Sequence, residues 1–211
     1  MKLYTYWRSS AAYRVRIALN LKGVAREDVF VSLIKGEQRA AEFTARNPQA
    51  LVPALELDDR TVLTQSLAII DWLEATYPEP PLLPADPLAR ARVLAAAHAV
   101  AMDIHPVNNL RILGALEARF GANPAARRDW MVHWMSLGFE ALEAQLPGTR
   151  YAFDDTAPGL ADLCLIPQLY NASRWGVDMA PWPKLTAIEA ACLELPAFAE
   201  AVPEAQPDAT G

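Results

Sequence analysis

Cysteine and histidine are scarce: only two of the 211 residues, Cys164 and Cys192, are cysteine, and only three are histidine. Both cysteines lie in apolar helical patterns, with neither a C-x-x-C pair nor metal-like spacing. The sequence therefore excludes a disulfide-stapled fold and a cysteine-based metal centre, and predicts two buried, reduced thiols. Also missing is any apolar run of about 18 residues that could span a bilayer. No charged-then-apolar leader opens the chain, so a cytoplasmic protein without membrane contact is expected. Basic runs are absent too. With 19 Lys+Arg against 25 Asp+Glu the net charge is -6, and no lysine/arginine stripe follows a phosphate backbone, which argues against nucleic acid as a partner. There are no internal repeats and no low-complexity tracts. What remains is 53% hydrophobic and 21% charged, the composition of a globule able to build a full core as one large or two small domains.

The stretch Lys2 to Gly23 organises the chain. A short alternating run (Leu3, Tyr4, Thr5, Tyr6) suits a strand, Arg8, Ser9 and Ser10 form a polar turn, and a helix follows that Gly23 ends. Ser9 and Ser10 thus stand at a helix N-terminus, where free N–H groups and the positive end of the macrodipole favour an anion, and Arg8 adds charge. Simple N-capping is the structural alternative for both hydroxyls. Arg26 to Leu33 reads as a second strand, parallel to the first because a helix crosses over between them. A polar loop through Gln38 and a weak helix through Phe43 to Arg46 come next, stopped by Asn47 and Pro48. Leu51 to Leu57 and Thr61 to Thr64 are expected to pair as a hairpin, and Gln65 and Ser66 lead into a helix ending at Tyr77. The order is β-α-β-α-β-β-α.

Composition shifts at Pro78 to Pro87, where five prolines in ten residues suggest a stiff linker. The reading is an α/β domain over 1–78, a linker over 79–87, an all-α bundle over 88–202 and a disordered tail over 203–211. Within the bundle Pro106 interrupts or kinks a helix, and Asn123-Pro124 reads as an N-cap with a first-turn proline. Trp130, Trp134, Leu137, Leu142 and Leu146 are expected to form one helix's apolar side. A helix starting at Gly159 carries Leu160, Leu163, Cys164 and Ile166, and Pro196 to Val202 is a short last helix.

Five segments, SSAAYRVRIALNLKG, LIKGEQ, NPQALVPAL, QSLAIIDWLE and IHPVNNL, together resemble the zeta class of glutathione transferases, the group containing maleylacetoacetate isomerase and maleylpyruvate isomerase. The resemblance runs over almost the whole chain. It implies a thioredoxin-like N-terminal domain with a mixed sheet, an all-α C-terminal bundle, glutathione as cofactor, and a homodimer. Ser9 matches the serine whose hydroxyl lies near the glutathione sulfur, where a hydrogen bond and the helix terminus would lower a thiol pKa that starts near 8.5; Ser10 is the second candidate. Val52 before Pro53 resembles the cis-proline turn that offers its main chain to the cysteinyl unit, an ordinary edge-strand proline being the alternative. Gln65 and Ser66 are assigned to the γ-glutamyl carboxylate, with N-capping by Ser66 also open, and Gln38 to the glycyl end.

A substrate with two carboxylates calls for guanidinium groups, which bond carboxylates in bidentate fashion. Arg8, Arg111 and Arg174 are the candidates, matching what the resemblance shows for maleylpyruvate isomerases; a solvated surface pair is the alternative for each. Asn108 joins both the glutathione and the substrate sets, and His105 is a weaker substrate contact, whereas His98 and His133 read as structural. The implied reaction is cis-trans isomerisation of a maleyl keto acid, maleylacetoacetate to fumarylacetoacetate, by reversible thiolate addition, with Arg8, Ser9 and Ser10 as catalytic residues. Maleylpyruvate is the alternative substrate. A general transferase or dehalogenase and a non-catalytic interaction module of the same fold are the other classes. Two departures from the family pattern stand out. Ala11 replaces the cysteine often found there, which removes redox chemistry but not isomerisation. Gly159 replaces the usual Ser or Thr cap, at an expected cost of a few tenths of a kcal/mol.

Overall fold

The computed structural model describes residues 1–209. The chain divides into two compact units, one formed by Met1–Pro81 together with Leu193–Gly211 and the other by Leu82–Cys192.

In the first unit the elements run β1 (Lys2–Thr5), α1 (Ser10–Leu21), β2 (Glu27–Phe30), α2 (Ala41–Thr44), β3 (Ala54–Glu56), β4 (Val62–Thr64) and α3 (Ser66–Thr76), the order read from sequence. The sheet order is β2-β1-β3-β4. Strand β1 pairs in parallel with β2 and antiparallel with β3, and β3–β4 is the expected hairpin. The strands are shorter than the sequence suggests, because the alternation in the Arg26 to Leu33 and Leu51 to Leu57 runs extends beyond the residues that find ladder partners. Gly23 adopts φ 62° just beyond α1, where a left-handed residue ends a helix at least cost.

The remainder of this unit departs from the sequence reading. Residues 193–209 belong here, not to the helical bundle. The physical reason is in α1: the buried Arg16 guanidinium donates to the Ala201 carbonyl from Nε at 3.2 Å and Nη2 at 3.0 Å, and Asn20 Nδ2 donates to the Ala197 carbonyl at 2.9 Å. Helix α9 shortens to Pro196–Ala199. The tail expected to be disordered is structured over residues 203–209: a 3-10 turn spans Pro203–Ala205, and buried Gln206 donates to the Glu200 and Val202 carbonyls, both at 2.9 Å. Residues 210 and 211 of that tail lie outside the described residues.

The second unit holds α4 (Pro87–His98), α5 (Leu110–Phe120), α6 (Pro124–Gln145), α7 (Leu160–Trp175) and α8 (Pro183–Leu193), the last residue of α8 lying at the division. The proline-rich stretch is no free linker, because Leu82 and Leu83 are buried and Leu160 N donates to the Leu82 carbonyl at 2.8 Å. Helix α4 runs on through π-helical turns over Ala99–Ile104 until Pro106 starts a 3-10 turn. Asn123 caps α6 as read, accepting from Ala126 N at 2.9 Å with Pro124 at the first helical position. The face of α6 is as expected at Leu142 and Leu146, which are buried, but Leu137 is 58% exposed and Trp130 and Trp134 are half-buried, so along the rest of the helix the i, i+4 series Met131, Met135 and Phe139, one residue on from the tryptophans, carries the core. Both cysteines are free and buried.

Helix α7 starts on a buried polar knot. The Asp162 carboxylate accepts from Gly159 N at 2.9 Å and from Ala152 N at 2.8 Å, and Cys192 Sγ lies 3.8 Å away. Burial outweighs these bonds and raises the Asp162 pKa from 3.8 to about 6. The folded chain therefore holds a proton that the unfolded chain releases between these values. The stabilisation is fully present below pH 3.8 and is lost as pH rises through about 6, an effect of roughly 3 kcal/mol. Urea unfolding at pH 4 and pH 7 is expected to show this fall in the native chain relative to Asp162→Asn, which has no such titration. Gly159 also has a reason to be glycine. A Cβ there would meet the Leu82 carbonyl oxygen at 2.9 Å, closer than such contacts allow, so restoring the family's serine is expected to lower the melting temperature, whatever its cap bond adds.

Candidate active site

The sheet register gathers the predicted site segments at one end of the strands. Tyr4 stands opposite Ala54, and Ala54 opposite Thr64, so the C-terminal ends of β1 and β4 and the N-terminal end of β3 line up. The C-terminal end of β2 joins them, since Phe30 pairs with Thr5. The loops leaving these ends carry Arg8 to Ser10, Gln38, Val52–Pro53 and Gln65–Ser66. Four separate sequence segments meet there because the strand directions bring them together, as at the carboxyl ends of open α/β sheets.

Ser9 is the N-cap of α1, its Oγ accepting from Ala12 N at 3.2 Å. The cap bond uses a lone pair and leaves the hydroxyl hydrogen to donate elsewhere. Ser10 is the first helical residue and is buried. Arg8 is partly buried, with its guanidinium 4.6 Å from the Trp7 ring centroid and Nη2 donating to the Tyr6 hydroxyl at 3.2 Å. The Val52–Pro53 bond is cis. Val52 lies outside the β3 ladder, which starts at Ala54, and it packs in one apolar cluster with Tyr6, Trp7 and Phe43.

At the start of α3, Gln65 holds φ 68° and ψ 118°, a costly conformation for a residue with a side chain and one that clusters at functional positions. Its Nε2 donates to Gln49 Oε1 at 2.8 Å. Ser66 is not the N-cap. It is the first helical residue, and its buried Oγ accepts from Arg14 Nη1 at 3.3 Å. Gln38 lies in a 3-10 turn over Glu37–Arg39, with Oε1 buried and without a hydrogen-bond partner. A buried acceptor, an open main chain at Val52 and a helix N-terminus at Ser66 together fit a peptide carrying carboxylates, the chemistry of glutathione.

In the second unit, Asn108 is buried in the 3-10 turn after α4, and both ends of its amide lack partners. Asn109 caps α5, accepting from Arg111 N at 3.0 Å and Ile112 N at 3.2 Å, so Arg111 stands exposed in the first turn. Arg174 is exposed in the last turn of α7 and donates to Asn171 Oδ1 at 3.4 Å. His105 precedes the 3-10 turn and is partly buried.

Sequence reasoning missed four contributors. Arg14 and Arg16 are buried on α1, where two arginines inside an otherwise apolar helix were the available signal. Asn47 fastens the loop before Val52 by donating to the Leu51 carbonyl at 2.7 Å and accepting from Gln49 N at 3.1 Å. Asp208 accepts from Trp7 N at 3.0 Å across most of the chain, with nothing local to announce it.

A thioredoxin-like sheet with a serine-capped first helix and a helix N-terminus suited to a carboxylate defines a glutathione-binding class of protein, and the comparisons agree. The family model for the glutathione S-transferase N-terminal domain matches residues 3–81. A maleylpyruvate isomerase of a Ralstonia species is 53% identical over 99% of both chains, and a maleylacetoacetate isomerase of Rhizobium meliloti is 51% identical over 96% of this chain and 95% of its own. The holo structure of a maleylpyruvate isomerase, described as a bacterial zeta-class glutathione transferase, superposes with a TM-score of 0.97 at 52% identity over the whole of both chains. A Methylobacterium maleylacetoacetate isomerase with bound malonate and glutathione gives 0.95 at 41% identity, again over both whole chains. The chain belongs to the glutathione transferase family, in its zeta class.

Proposed function

We propose that this chain is a glutathione-dependent isomerase that converts a maleyl keto acid to its trans isomer, with maleylacetoacetate as substrate. The observation that carries this reading is the register that sets Tyr4, Ala54 and Thr64 side by side, so that the loops bearing Ser9, Val52 and Ser66 leave the same end of the sheet, in a chain whose relatives are named for this reaction. Glutathione, when bound, supplies the sulfur nucleophile that adds reversibly to the cis double bond and frees it to rotate. Ser9 donates its hydroxyl hydrogen to that sulfur, and the N-terminus of α1 lowers the cost of its negative charge. Ser10 assists as the second hydroxyl of the same turn. Val52 pairs its main chain with the peptide, Pro53 fixes the turn, Gln65 and Ser66 hold the γ-glutamyl carboxylate, and Gln38 the glycyl end. Asn108 supplies a further amide. Arg8, Arg111 and Arg174 bind the substrate carboxylates and the charge that moves onto its carbonyl oxygen, with His105 as a polar contact.

Maleylpyruvate is the second reading, favoured by the arginine trio. Steady-state rates on the two keto acids test the choice: a kcat/KM at least tenfold higher for maleylacetoacetate is expected, and the reverse ratio assigns maleylpyruvate. Comparable turnover of an aryl halide or chlorinated acid would assign the general transferase class, and absence of glutathione binding by calorimetry the interaction module. The resemblance also supports a homodimer, checked by light scattering. Two reduced, buried thiols accord with the cytoplasm as the proposed compartment.

A further inference from the structure

We infer that the end of the chain, residues 206–209, is a strap that positions the thiol site, with Asp208 and Arg16 holding the turn that presents Arg8 and Ser9. The inference rests on the assignment of Ser9 to the glutathione sulfur.

Every group involved lies in the first unit. The backbone of Trp7 is held from both sides. Its N–H donates to Asp208 Oδ2 at 3.0 Å, and its carbonyl accepts from Arg16 Nη2 at 3.0 Å. One residue earlier, the Tyr6 carbonyl accepts from Ser9 N at 3.0 Å and from Arg16 Nη1 at 3.4 Å. The turn from Tyr6 to Ser9 is therefore fixed by a buried cation and by a carboxylate that comes from 201 residues away. Burial lowers the Arg16 pKa to about 10, opposed by Tyr13, Asp28 and, to the smallest extent, Asp208.

The strap itself is well tied. Gln206 anchors its start through two carbonyls, Ala209 N returns to the Gln206 carbonyl at 2.9 Å, and Ala209 packs against the apolar cluster that contains Tyr6, Trp7 and Val52. The last helix is attached through the Arg16–Ala201 and Asn20–Ala197 bonds and the burial of Phe198 and Ala201, contacts in which Asp208 and Ala209 take no part. Their contacts end on the Trp7 turn and on the cluster holding Val52, the two places assigned to the sulfur and to the peptide main chain. The Arg8 guanidinium stacks on Trp7, so a displacement of Trp7 moves the substrate-binding cation and the thiol-binding hydroxyl together. Asp208 acts through its neighbours and is a positioning residue.

The test uses the full-length protein and Asp208→Ala, with Asp208→Asn as the conservative variant whose amide oxygen still accepts from Trp7 N–H. Three readings are taken: hydrogen exchange of the Trp7 amide without glutathione, the pKa of the bound glutathione thiol from its thiolate absorbance, and kcat and KM separately. For Asp208→Ala the expected results are Trp7 exchange about tenfold faster, the effect of one ordinary hydrogen bond, a raised thiol pKa, and a kcat lowered several-fold with KM for glutathione within about twofold. Asp208→Asn recovers most of each. Unchanged exchange, thiol pKa and kcat in Asp208→Ala would overturn the inference. Should that variant fail to fold, Asp208→Leu, which keeps the bulk of the side chain but offers Trp7 N–H no acceptor, is read in the same way. If the native protein showed an ordinary thiol pKa, the Ser9 assignment would fail instead, and the Trp7 exchange measured without glutathione would still decide whether the strap holds the turn.

Discussion

Ser9→Ala is expected to lower kcat/KM roughly 10- to 100-fold, because a hydrogen bond to a charged atom is worth about 1.5–3 kcal/mol. The same substitution removes the cap bond to Ala12 N, at a stability cost of about 1 kcal/mol. Ser9→Gly separates the two effects. Glycine at an N-cap costs only a few tenths of a kcal/mol, so this variant should unfold nearly as the native chain does while showing the same kinetic loss. The thiol pKa of bound glutathione should rise in both. A kinetic defect confined to Ser9→Ala would reduce Ser9 to a cap, and Ser10, one residue further into the helix, would become the leading hydroxyl.

Arg16→Ala is expected to produce the largest stability loss, about 3–5 kcal/mol by urea unfolding. The side chain is fully buried and donates to the Tyr6, Trp7 and Ala201 carbonyls and to Thr5 Oγ1. Its removal leaves these acceptors buried together and takes away both guanidinium bonds that tie Ala201 to α1. Arg16→Lys should recover little, since one ammonium on a flexible stem cannot reproduce a planar fork that reaches four acceptors. Near-native stability of Arg16→Ala would mean that packing and the Asn20–Ala197 and Trp7–Asp208 bonds hold α9 and the strap without it.

The order of elements in the first unit was legible because strand alternation, helix periodicity and turn residues are local signals. Ser9 at the start of α1 was legible for the same reason, as were the Asn123-Pro124 start of α6 and Gly159 at the head of α7, whereas the cis Val52–Pro53 turn was implied only by the family resemblance. The place of residues 193–209 was not. It is decided by backbone carbonyls accepting from a guanidinium 185 residues away, and a carbonyl leaves no mark in a sequence. Nor could Leu82 and Leu83 be read as anchored, since a proline-rich composition describes stiffness and says nothing of what the leucines within it meet. On α6 the tryptophans drew attention by size, while the buried series fell on Met131, Met135 and Phe139. Gly159 read as a lost cap because the side chain it lacks is visible in sequence, and the approaching Leu82 carbonyl is not.

Isomerisation of a maleyl keto acid by a glutathione thiolate held at Ser9 is tested by the rate of cis-to-trans conversion of maleylacetoacetate and maleylpyruvate by the purified protein, with glutathione present and with it removed. Turnover that depends on glutathione and returns when it is added back is expected. Equal rates without glutathione would rule the mechanism out.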